Sequence, residues 1–105
     1  MKFSTKEFRV GKHVFKLDKA GMKHILERHH PKYWDGSIKE TQSFLPSNWT
    51  TENVADAANS VISQNIEKIR NMKSNKGMFQ IQGTYDGKTV IVGFKDGKIG
   101  QLYTK

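Results

Sequence analysis

The stretch Met78-Phe79-Gln80-Ile81-Gln82-Gly83-Thr84-Tyr85, then Asp86-Gly87, Thr89-Val90-Ile91-Val92-Gly93-Phe94, Asp96-Gly97 and Ile99 to Tyr103, decides the fold of this chain. Apolar and polar residues alternate along it, the period of strands with one buried face. An Asp-Gly pair between two such runs marks a tight hairpin, because a type I′ turn needs positive φ at both central residues. The pair occurs twice here. A three- or four-stranded antiparallel meander is therefore expected at the C-terminal end.

Upstream the period changes. Val54, Ala57, Ala58, Val61 and Ile62 share one face of a helix. That helix opens near Thr50-Thr51-Glu52-Asn53, with either threonine able to cap it and Glu52 suited to the positive end of its dipole. Ile66-Glu67-Lys68-Ile69-Arg70 fits a strand or a helix tail. Nearer the N-terminus, Ala20, Met22, Ile25, Leu26 and His29 have one-face helical spacing. Asp18 stands at the N-cap, and Pro31 ends the helix because the residue before proline disfavours the α region. Lys6 to Leu17, with Gly11-Lys12 at its centre, reads as a short hairpin or strand. The expected class is α+β, with N-terminal helices packed on one face of a C-terminal antiparallel β-sheet.

Length and composition set limits. The chain has 105 residues and 35% hydrophobic content, enough for one domain spanning 1–105 with a small core. Cysteine is absent, which excludes disulfides, thiolate zinc sites and cysteine nucleophiles. No apolar run approaches the ~18–20 residues of a membrane span, and Met1 to Lys6 lacks the apolar stretch of a signal peptide. The formal net charge is +8, which points to a polyanionic partner: nucleic acid, or an acidic protein.

Three of the four histidines, His24, His29 and His30, lie within seven positions just ahead of Pro31. One role open to them is that of surface or half-buried residues with no chemistry, and His13, alone in a strand pattern, belongs to that class. A second role is a metal site completed by Glu27 and Asp35. The spacing is neither His-x-x-x-His nor His-Glu-x-x-His, so no metal and no other cofactor is expected. The third role is acid–base catalysis on RNA, since imidazole exchanges protons near neutrality with an ordinary pKa of about 6.5. On a continuous helix His24 and His29 point ~140° apart. Their convergence is expected to need the helix to stop before His29. Lys39 could neutralise a phosphate and Thr41 could donate to it. Tyr33, Trp34 and Trp49 could stack on bases, as single-stranded RNA readers do.

The order His24-Ile25-Leu26, His29-His30, Lys39, Phe44-Leu45-Pro46-x-x-Trp49, a helix, strands with Asp-Gly turns and a closing Gly97-x-Ile99-x-x-x-Tyr103 resembles a bacterial ribonuclease toxin. It is similar to the C-terminal toxin domains of contact-dependent growth inhibition and other polymorphic toxin systems. Within these it resembles the group uniting barnase, EndoU, colicin nucleases and RelE-type toxins (the BECR fold). The resemblance spans about Lys23 to Lys105. Two positions depart from the EndoU-like closing motif: Gln101 stands where that family has threonine, and Thr104 where it has proline. A related subfamily with His-His-Pro after the first helix is a further match.

The resemblance implies a metal-independent RNA endonuclease, often a transfer-RNA anticodon nuclease. Such a domain is delivered to the target-cell cytoplasm as part of a secreted or cell-surface protein and is neutralised by a cognate acidic immunity protein. Placed on this chain, His24 and His29 or His30 are the proton carriers. Lys39 and Arg28 hold phosphate charge, Thr41 and Tyr103 donate hydrogen bonds, and Trp34 and Gln101 contact substrate. Lys39, Thr41, Gln101, Tyr103 and Thr104 all compete for the third catalytic position. The alternative is a non-catalytic basic domain that binds RNA or an acidic protein.

Overall fold

The computed structural model describes residues 2–33 and 44–105. Its element order is β1 (Lys6–Val10), β2 (His13–Leu17), α1 (Lys19–His29), α2 (Thr51–Ser63), α3 (Ile66–Arg70), β3 (Met78–Tyr85), β4 (Lys88–Lys95) and β5 (Lys98–Thr104). The class is α+β, as the two sequence periods require.

Both Asp-Gly pairs form the turns expected of them. Asp86 and Gly87 have φ of 54° and 71°, and Asp96 and Gly97 have 50° and 81°. These turns fold β3, β4 and β5 into a three-stranded antiparallel meander. The N-terminal segment is a true hairpin, with Phe8 opposite Phe15 and Val10 opposite His13. It also joins the sheet. Lys16 N–H donates to Gly97 O at 2.9 Å, a parallel contact between β2 and β5. The sheet is therefore mixed and five-stranded, in the order β1-β2-β5-β4-β3. A hairpin that buries Val10, Phe15 and Leu17 has too little surface of its own to cover them, so it docks on the common core.

Two helices close that core. Asp18 caps α1, its carboxylate accepting from Gly21 N–H at 2.7 Å. Met22, Ile25 and Leu26 point inward. Thr50 caps α2 in a reciprocal box with Asn53. Val54, Ala57, Ala58 and Val61 of α2 are fully buried, and the small alanines bring the helix close to β3. A Cβ on Gly83 would lie 3.1 Å from Val61 Cα, so glycine is what this spacing allows. Ile66 to Arg70 forms a short helix rather than a strand.

The end of α2 also covers the outer rim of β3. Gln64 Nε2 donates to Thr84 O at 2.8 Å, while Gln64 Oε1 accepts from Thr84 N–H at 2.9 Å. Asn65 Nδ2 donates to Gln82 O at 2.9 Å. No helix among the described residues is long and apolar enough to cross a membrane.

Candidate functional site

The site lies on the outer face of the meander, away from α2. Even-numbered residues of β3, among them Met78 and Gln80, face outward because Ile81 faces the core. On β5 the alternation is reset. Gly93 pairs with Gln101 and Phe94 with Ile99, leaving Gly100 without a partner on β4. This one-residue bulge lets Ile99 and Leu102, three positions apart, both enter the core. Gln101 and Tyr103 are left on the outer face.

A polar strip runs across that face. Gln80 Nε2 donates to Gln101 Oε1 at 3.0 Å and to Tyr103 Oη at 3.4 Å. Gly93 permits the first bond. A Cβ there would sit 2.5 Å from Gln101 Oε1, so the Gln101 side chain lies across the space that Gly93 leaves empty.

Helix α1 runs beside β5, packed so tightly that a Cβ on Gly21 would fall 2.5 Å from Ile99 O. His24 is exposed and has no hydrogen-bond partner among the described residues. It borders a groove of about 530 Å³, together with Met78, Gln80, Lys95, Gly100 and Gln101. His29 closes the helix, and its ring stacks on Tyr103 at 5.3 Å with an interplanar angle of 27°. The helix does not stop before His29. The ~140° between the two histidines is accommodated differently. His24 shares the groove with Gly100 and Gln101, His29 stacks on Tyr103, and Gln80 ties Gln101 to Tyr103. Arg28 is half-buried in the same last turn, where the negative end of the helix dipole favours cations.

His30 has a different place. It is 1% exposed, its Nε2 donates to Trp49 O at 2.9 Å, and its Nδ1 accepts from Lys32 N–H at 3.1 Å. Both ring nitrogens are engaged by backbone, so the ring is a clamp between the end of α1 and the start of α2. Of the two histidines eligible as partner to His24, only His29 reaches the polar strip. His13 is likewise buried, with Nε2 2.8 Å from Met72 O. Trp49 is buried, edge-on to Tyr85, with Nε1 donating to Asp86 Oδ2 at 3.4 Å. Tyr33 is exposed, edge-on to His30. Thr104 Oγ1 donates to Phe44 O at 3.3 Å and so ties β5 to the segment that precedes α2. Trp34, Lys39 and Thr41 lie outside the described residues.

Gln80, Gly93 and Lys95 join the site without having been singled out from the sequence. The signal for Gln80 was available, since a glutamine among alternating apolar residues must face away from the core. Glycines at positions 93 and 100, inside strands, were a second signal, because strand glycine marks a bulge or a close approach. Among the described residues, no cluster of three or more His, Asp or Glu is placed to hold a metal ion. No family model, no curated protein and no solved structure matches this chain.

Proposed function

We propose that this domain is an endoribonuclease toxin that cuts RNA, with transfer RNA as its substrate, by internal attack of the ribose 2′-hydroxyl. The observation that carries this reading is that His24 and His29 border one strip of hydrogen-bonding side chains, Gln101, Gln80 and Tyr103, in a chain of net charge +8. One imidazole takes the 2′-hydroxyl proton as O2′ attacks phosphorus. The other gives a proton to the departing O5′, and the products are a 2′,3′-cyclic phosphate and a 5′-hydroxyl. Tyr103 Oη is a donor for the phosphoryl oxygens, on which negative charge grows, and Gln101 contacts the substrate beside it. Arg28 and Lys95 supply positive charge close by. Lys39 and Thr41 enter by the resemblance alone. The same resemblance supports delivery as part of a larger protein into a target cell, and neutralisation by an acidic immunity protein that covers the histidines.

The test is cleavage of total bacterial RNA by the wild-type domain and by His24→Ala, each with and without a chelator, alongside RNA binding. The expected result is cleavage that survives chelation and falls ~10²–10⁴-fold with His24→Ala, while binding is kept. Binding without cleavage in either form would establish the alternative, a basic RNA-binding module. Cleavage abolished by chelation would establish a metal nuclease.

A further inference from the structure

The groove beside His24 has features that proton transfer does not use. Its base includes Gly100, where an added Cβ would meet nothing within 4 Å, so the surface there is bare backbone. Its edge carries two side-chain amides held by each other. Both N–H groups of Gln80 are spent, one on Gln101 and one on Tyr103. Gln80 Oε1 and Gln101 Nε2 have no partner among the described residues. One acceptor and one donor are thus left over on two amides that are bonded to each other. Met78, 75% exposed, forms an apolar wall, and Lys95 places a cation at the rim.

We infer that this groove is a nucleobase subsite. It would take one unpaired base of the RNA, flat against the backbone at Gly100 and Met78, and read its edge through Gln80 Oε1 and Gln101 Nε2. The chemistry fits. A planar base needs a bare floor, and its edge presents a neighbouring donor and acceptor, the pattern that a glutamine amide reads on adenine. The volume of about 530 Å³ admits a base with its ribose. Lys95 answers the adjoining phosphate. Base contact would then place the sugar next to His24, so the groove would select the nucleotide beside the bond that is cut. This deepens the nuclease reading and rests on it for that last step only; the subsite itself is tested without cleavage.

The experiment titrates the intact chain with AMP, GMP, CMP and UMP, and with ribose 5-phosphate as the base-free control. The side-chain amide resonances of Gln80 and Gln101 are followed by NMR. At least one nucleotide is expected to bind roughly tenfold more tightly than the sugar phosphate and to shift both amides. Gly100→Leu places a side chain in open groove space at a backbone position without positive φ. It should melt like the wild type, abolish that preference and leave sugar-phosphate binding in place. Equal binding of all five compounds, unshifted amides, or a preference that survives Gly100→Leu would overturn the subsite. Should Gly100→Leu fail to fold, Gln101→Ala carries the same expectation for the base preference. Cleavage lost in His24→Ala without any base preference would sink the subsite and keep the nuclease. A base preference in a domain that cuts nothing would do the reverse.

Discussion

The rings of His29 and Tyr103 stack 5.3 Å apart, joining the last residue of α1 to the penultimate residue of β5. Neither residue could fix the other alone. His29 is placed by a helix whose start is capped at Asp18, and Tyr103 by a strand whose phase is reset at Gly100. Gln80 also donates to the Tyr103 hydroxyl, from β3. The tyrosine is thus positioned from two elements that lie far apart in sequence.

Tyr103→Phe keeps the ring against His29 and removes the hydroxyl. Cleavage is expected to fall roughly tenfold, about 1.4 kcal/mol of barrier. Tyr103→Ala removes the stacking as well and should fall further, by roughly another tenfold. Single-turnover rates on one RNA separate the two contributions. A Phe variant as fast as wild type would show that the hydroxyl does not act.

His30→Ala leaves a cavity in the core and two backbone groups, Trp49 O and Lys32 N–H, without their partner. A loss of about 2–4 kcal/mol is expected. In a chain of this size that lowers Tm by roughly 10–25 °C. Thermal melting checks it. A variant that melts normally but cuts no RNA would move His30 from the scaffold into the chemistry.

Gly21→Ala is expected to destabilise, although alanine is the better helix former by about 1 kcal/mol. The new methyl would fall 2.5 Å from Ile99 O, a backbone atom that cannot swing aside. Overpacking of this kind costs about 1–3 kcal/mol. A raised Tm in the variant would show that α1 and β5 leave room for the methyl.

RNA affinity should fall steeply with salt, since the net charge of +8 attracts phosphates and each contact releases condensed cations. For single strands log K should drop with log salt at roughly −0.7 per phosphate contacted. Lys95→Ala should make the slope shallower by about one such contact. An affinity indifferent to salt would argue against a phosphate track along this face.

The meander was legible because each Asp-Gly pair fixes a turn locally, at Asp86 and again at Asp96. The helix starts at Asp18 and Thr50 were legible for the same reason, since capping is settled within four residues. The docking of the N-terminal hairpin on β5 was not. It depends on which open sheet edge is available, and periodicity carries no such information. The histidines divide in the same way. Spacing alone could not separate His29 from His30, because the difference lies in the partners: Tyr103 for one, Trp49 O and Lys32 N–H for the other. The outward facing of Gln80 was legible from the alternation, but its bond to Gln101 was not, because that bond exists only through Gly93, on a neighbouring strand.

The amide of Gln64, bonded to both backbone groups of Thr84, behaves like one residue of a missing sixth strand. A foreign chain cannot zip onto the sheet there, because the donor and acceptor it would need are already taken. That guard is tied to the integrity of α2. Fraying of the helix end would bare the rim, so early melting of α2 and clumping of the protein should begin together.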